Sequence, residues 1–196
     1  YPINETYALA PTGIEQRAYD PDKAKFHFKK AGMEGTTIQL SAADAAFPGA
    51  VDAAVLYKEH AAKAGIDIEV VREPNDGYWS NVWMKKGWCA CYWGGRPTED
   101  WMFTTAYAAG ADWNDTFWKH DRFNELLLAA RAELDSDKRR TMYYEMQEIV
   151  SNDGGVVVPM FANYVFAASD KIVPSEQMAG NWEIDGCKFA ERWSFA

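Results

Sequence analysis

Catalytic signatures are missing from this 196-residue chain. There is no Gly-rich phosphate loop with its lysine, no Gly-x-Ser-x-Gly elbow and no His-Glu-x-x-His pair. The three histidines, His27, His60 and His120, stand singly, and none has the spacing of a metal-ligand pair, so no metal and no cofactor is expected. Long apolar runs are absent too: nothing approaches the roughly 18 to 20 residues needed to span a bilayer. Basic residues are outnumbered by acidic ones, 20 to 29, leaving a net charge of −9 that argues against nucleic acid or an anionic membrane as partner. Cysteine is scarce, and three is an odd number, so no disulfide framework is expected. Cys89 and Cys91 alternate on one predicted strand, point to the same face and are poorly directed for bonding each other; they read as small apolar fillers. Cys187 reaches either of them only if the tail folds back. The chain also begins Tyr1-Pro2-Ile3-Asn4, without an initiator methionine or a basic-then-apolar leader, so a processed chain or a piece of a longer one is expected.

What is present reads as a globular α/β protein. Hydrophobic and charged fractions of 48% and 25% are ordinary for a chain that buries a core. Residues 1–19, with Pro2, Pro11 and Gly13, form an extended lead-in. Asp20-Pro21 opens a helix with Ala24, Phe28 and Ala31 as its buried stripe, ended by Gly32. A strand over 37–41, a helix over 50–64 closed by Gly65, a strand over 66–71 and a short helix through Trp79, Val82 and Trp83 follow. A third strand covers 88–93. Connections this long imply parallel strands with helices covering the sheet. Further on, residues 100–109 can be helical and 112–115 read as a turn. A helix over 120–134 carries Phe123, Leu127, Ala130 and Leu134 on one face. Asp135-Ser136-Asp137 restarts a second long helix through Met142, Met146, Ile149 and Val150, stopped by Gly154-Gly155. Strands are predicted over 156–161, with Pro159 marking an edge or an end, and over 164–168. The expected division is a lead-in over 1–19, one ligand-binding lobe over 20–170 and a tail over 171–196 that is irregular apart from Phe189 to Phe195.

The organising stretch is Trp88-Cys89-Ala90-Cys91-Tyr92-Trp93 followed by Gly94-Gly95-Arg96-Pro97-Thr98-Glu99-Asp100-Trp101. A strand that breaks into a charged, aromatic loop is where open α/β sheets place a ligand. Seven of the nine tryptophans (Trp79, Trp83, Trp88, Trp93, Trp101, Trp113 and Trp118) fall in one fifth of the chain, although some of them can simply cover the sheet. Large flat rings with a few polar anchors suit a cleft that grips a solute. The candidate ligand-binding residues are Trp93, Gly94, Gly95, Arg96, Glu99, Asp100, Trp101 and Trp113. Two rival readings stay open: a hydrolase using Glu99 or Asp100 as acid or base, and a domain whose aromatic face binds a partner chain.

The same residues resemble a family. Asp20-Pro21-Asp22-Lys23-Ala24-Lys25 leading to Ala31-Gly32, Ala64-Gly65-Ile66 before a strand, Tyr78-Trp79, Trp93-Gly94-Gly95, Arg139-Arg140 to Gln147 and Val158-Pro159 resemble, in order, segments of the dipeptide/oligopeptide-binding (family 5) solute-binding proteins of ABC transporters. The resemblance implies a type II periplasmic-binding-protein-like lobe, with a mixed, mostly parallel sheet flanked by helices. It implies the C-terminal part of a longer receptor, an extracytoplasmic (periplasmic) location and no cofactor. Its partners are then a peptide or other small-molecule solute, ABC permease subunits and the N-terminal lobe of the same protein. Peptide-binding members carry an acid just after the Trp strand to pair with the peptide amine. Here Arg96 stands nearest, with Glu99 and Asp100 a few residues on, so either an acid is restored by a small shift or the solute carries an anion there.

Overall fold

The computed structural model describes residues 2, 3, 7–10, 13–180 and 182–196. Positions 1, 4–6, 11 and 12 of the predicted lead-in lie outside the described residues. Residues 13–20 are irregular and mostly exposed. The chain divides into two compact units, one of Glu15–Trp93 and one of Tyr1–Ile14 with Gly94–Ala196.

In Glu15–Trp93, Asp20 accepts a hydrogen bond from Lys23 N at 2.8 Å and Pro21 takes the first position of α1, Pro21–Lys30. Its predicted stripe is shallow: Ala24 and Phe28 are half-buried and Ala31 is exposed. Strand β1, Thr37–Ala42, pairs in parallel with β2, Asp67–Arg72, across helix α2, Ala50–Ala62. Alternation sorts the faces. On one, Thr37 donates to Asp67 at 2.6 Å, Gln39 to Glu69 at 2.9 Å and Ser41 to Glu73 at 2.8 Å. On the other, Leu40, Ala42 and Ile68 pack with Ala54 of α2. The third strand is the first correction. Only Cys89 bridges β1, in parallel at Ser41, with Trp88 O accepting from Ser41 N at 3.1 Å and Ala90 N donating to Ser41 O at 2.9 Å. β1 ends at Ala42 and turns at once (Ala46 N donates to Ala43 O at 2.9 Å), so residues 91–93 run past it with no ladder to join. Helix α3, Tyr78–Asn81, buries Tyr78, whose hydroxyl donates to Ala90 O at 2.7 Å and pins this segment in place. Burial is the main cause that pushes the Tyr78 phenol well above its ordinary value.

The other unit is chiefly helical: α4, Glu99–Ala106, α5, Asp121–Ala132, and α6, Ser136–Asp153. Their core joins Phe103, Phe123 and Tyr143, with ring centroids 5.4 Å (Phe103–Phe123) and 6.1 Å (Phe103–Tyr143) apart. Caps set the boundaries: Thr98 for α4, the His120 imidazole for α5 and Asp135 for α6, which Gly154 ends. Leu134, expected in the α5 stripe, is 92% exposed because Glu133 turns extended and ends the helix. The strands predicted over 156–161 and 164–168 are not formed. Val157, Met160, Phe161, Val165 and Phe166 are exposed, and apolar character alone does not make a strand without a neighbour to complete its ladder. The tail is regular over Phe189–Phe195, where order was expected, and also carries short elements before it. β3, Ile172–Val173, pairs antiparallel with β4, Ser194–Phe195, around the short helices α7, Glu183–Gly186, and α8, Phe189–Arg192. Buried Asp185 accepts from Ala179 N, Arg192 Nη1 and Trp193 Nε1, and these bonds, the backbone one foremost, hold its carboxyl below the usual range.

Candidate functional site

In Glu15–Trp93 the aromatic residues form a connected exposed face. Trp79 meets Trp83 at 5.8 Å and Tyr92 at 5.6 Å, and Trp83 meets Trp93 at 6.5 Å, all near edge-to-face. Trp79 and Tyr92 are exposed and Trp83 and Trp93 half-buried, so the rings hold each other's orientation while keeping surface open to solvent. Residues 88–93 supply two of the four rings, and Tyr78 anchors that segment from beneath through Ala90 O. The remaining predicted tryptophans of this unit behave likewise: Trp88 is half-buried and packs edge-on against Tyr57 at 5.6 Å. No described tryptophan is fully buried. An apolar side chain this large kept at the surface marks an interaction site more often than a sheet cover.

The remaining predicted positions lie in Gly94–Ala196. Arg96 Nη1 donates to Gly94 O at 3.0 Å and to Gly95 O at 3.1 Å, curling the guanidinium over its own loop. Trp182 Nε1 donates to Gly95 O at 2.7 Å. Adjacent Glu99 and Asp100, in the first turn of α4, go different ways. Glu99 is 3% exposed and accepts from Leu9 N at 2.5 Å. Asp100 accepts from Arg131 Nε at 2.9 Å, a bond that, more than any other interaction, raises the arginine above its ordinary value. Trp101 and Trp113 are 52% and 51% exposed. Thus Gly94, Gly95 and Arg96 form one knot, Glu99 and Asp100 are turned into the protein, and Trp101 and Trp113 offer bare rings.

Sequence reasoning placed Trp79 and Trp83 in the aromatic cluster but not in the site, and missed Tyr92, which directly follows Cys91 within the predicted strand. It also missed buried Gln147, a polar residue lying between Met146 and Val150 on the core face of α6, whose Nε2 donates to Ile3 O at 2.7 Å and whose Oε1 accepts from Ile3 N at 3.3 Å. Among the described residues, no group of three or more His, Cys, Asp or Glu side chains can hold a metal ion. The chemistry on offer is stacking and hydrogen bonding, the means of holding a solute.

Solved structures define the fold. The chain superposes on the Listeria monocytogenes ABC transporter substrate-binding protein CtaP with a TM-score of 0.68 at 14% identity, over 78% of this chain and 32% of that one. It superposes on the Helicobacter pylori periplasmic binding protein DppA, solved in complex with the peptide STSA, with a TM-score of 0.64 at 24% identity, over 79% of this chain and 31% of that one. It superposes on Campylobacter jejuni NikZ in complex with Ni(L-His), with a TM-score of 0.67 at 18% identity, over 77% and 34%. The fold is therefore that of a type II periplasmic-binding-protein lobe, α/β as expected. The Escherichia coli dipeptide-binding protein is 28% identical over 160 residues, covering 74% of this chain and 29% of its own, so the chain spans less than a third of this relative's length. The profile of the bacterial extracellular solute-binding proteins, family 5 (Middle), matches residues 1–115, more than half of the sequence, and the chain belongs to that family. The family is one of solute-binding proteins, not of enzymes, and the hydrolase reading finds no support in it. Among the described residues, no helix is long and apolar enough to cross a membrane.

Proposed function

We propose that this chain is the C-terminal lobe portion of the substrate-binding component of an ABC importer, and that the complete receptor binds a peptide or peptide-like solute in an inter-lobe cleft. In this reading residues 20–170 carry the ligand-binding lobe, and 171–196 return toward the N-terminal lobe. The receptor works in the periplasm and delivers its solute to permease subunits. The observation that carries the reading is the exposed aromatic run Trp79, Trp83, Tyr92 and Trp93, in a chain belonging to a solute-binding family. The likeness to a dipeptide-binding protein favours a peptide.

Trp93 then offers an aromatic surface from its own unit, and in Gly94–Ala196 Trp101 and Trp113 offer bare rings, with Gly94, Gly95 and Arg96 as polar groups. Arg96 faces an anionic group such as a peptide carboxylate. Glu99 and Asp100 act at one remove by shaping the loop, because each carboxylate already has a partner within the protein. The test is calorimetric titration of short peptides, with a nickel–histidine chelate in parallel, into the full-length receptor and its Trp93→Ala variant. Peptide binding weakened about tenfold or more by Trp93→Ala supports the proposal, since one stacked aromatic is worth on the order of 1 kcal/mol beyond its buried area. Binding of the chelate alone, or unchanged peptide affinity in the variant, overturns it.

A further inference from the structure

The loop between α4 and α5 is built to hold two aromatic rings in solvent. Phe117 is 64% exposed although its backbone is left-handed, with φ 56°, a conformation that a bulky residue rarely adopts and that glycine takes without penalty. Trp113, four positions earlier, is 51% exposed. Between them Asn114 is only 5% exposed and commits its amide to the loop itself. Its Nδ2 donates to Trp118 O at 2.7 Å and to Ala108 O at 3.2 Å, and its Oδ1 accepts from Thr116 Oγ1 at 3.0 Å. The loop is also pinned to the end of α6. The Trp118 indole donates to Asp153 Oδ2 at 3.1 Å, and Thr116 packs so close to Gly155 that a Cβ added there would lie 3.0 Å from Thr116 Cβ. The left-handed turn at Phe117 therefore persists because its surroundings over-determine it.

Charge along this stretch has one sign. No lysine or arginine occurs between Arg96 and Lys119, whereas Asp112 adjoins Trp113 and is exposed, and Asp115 follows two positions after it. An indole or phenyl face attracts a cation through its quadrupole, and a nearby carboxylate adds to the pull. A neutral apolar group gains nothing from the acids, and an anionic one is repelled by them. Resting on the peptide-binding reading above, we propose that residues 111–118 are a specificity loop for a cationic group of the solute, a lysine or arginine side chain of a peptide. Trp113 and Phe117 supply the ring faces and Asp112 the opposing charge. Asn114 is a positioning residue, which fixes where the two rings stand without touching the solute.

The test is calorimetric titration of the full-length receptor with alanine tripeptides that carry, at each position in turn, arginine or its uncharged isostere citrulline. At one position or more, arginine is expected to bind about fivefold or more tighter than citrulline, as a partly desolvated cation on an aromatic face does. In Trp113→Leu and Phe117→Leu that ratio is expected to fall towards one, while the citrulline peptides keep their affinity to within about twofold. Asp112→Asn is expected to lower the ratio by less. Equal affinities for arginine and citrulline in the unsubstituted receptor overturn the inference without recourse to any variant. A preference that survives both ring substitutions also overturns it, since the net charge of −9 then accounts for the effect. Either result leaves the peptide-binding reading standing where Trp93→Ala still weakens the alanine peptides, whereas binding of no peptide at all overturns both.

Discussion

In Gly94–Ala196 the rings of Phe103, Phe123 and Tyr143 are sealed at the junction of three helices, while in Glu15–Trp93 the rings of Trp79, Trp83, Tyr92 and Trp93 touch each other and still meet solvent. Both groups gain from edge contacts between rings. The difference lies in what else surrounds them. The helices of the first group also bury Met102, Leu126, Leu127, Met146 and Val150, so its rings belong to a core and contribute to stability. The second meets buried Tyr78 through Trp79, at 5.6 Å edge-to-face, and keeps the rest of its surface open. Aromatic surface left open in this way is available to a ligand.

The comparison breaks most visibly at Phe103. Phe103→Ala is expected to destabilise the chain by about 3–5 kcal/mol in urea unfolding, because a large buried ring leaves a cavity. Trp79→Ala, at 39% residual exposure, is expected to cost about 1 kcal/mol or less beyond its lost area. Equal losses at the two positions would erase the distinction. Next comes Tyr78→Phe, which keeps the ring and removes the hydroxyl from Ala90 O. A destabilisation of about 1–3 kcal/mol is expected from the orphaned carbonyl, together with altered tryptophan emission as residues 88–93 loosen. The smallest effect is electrostatic. Arg122 donates to Glu145 through Nε at 2.7 Å and through Nη2 at 3.0 Å, joining α5 to α6 and lowering the glutamate pKa from 4.5. A carboxyl with a depressed folded-state pKa contributes stability that is present above its unfolded value and lost as the pH falls through the folded one. Melting curves of Glu145→Gln should therefore converge with the parent's below pH 4.5 and differ slightly above it. The difference should shrink with salt, since both side chains are about half exposed.

Local chemistry made much of the fold legible. Asp20-Pro21, Asp135 and Gly154 carry their capping roles in their own side chains or lack of them, and the alternation of residues 37–42 survives because one face meets α2. The strand over 88–93 misled because its length is decided by where β1 ends, more than forty residues earlier. The apolar runs over 156–161 and 164–168 misled for the same reason: a strand is a property of a pair. At the candidate site the tryptophans were legible by type and crowding. The inward turn of Glu99 was not, because its partner is the backbone of Leu9, ninety positions away.

The grip of Gln147 on Ile3 also carries a consequence for how the protein comes to be folded. These residues are 144 positions apart. Residues Glu15–Trp93 form a contiguous unit whose contacts all close over shorter stretches of chain, whereas the other unit draws on two separate stretches, Tyr1–Ile14 and Gly94–Ala196. During folding Ile3 has nothing to dock against until α6 has formed. The entropic cost of closing so large a loop is met only after α4, α5 and α6 have collapsed together. The docking of Ile3 and Tyr7 is therefore a late step, and amide protection at Ile3 should lag behind the burial of Phe103 during refolding.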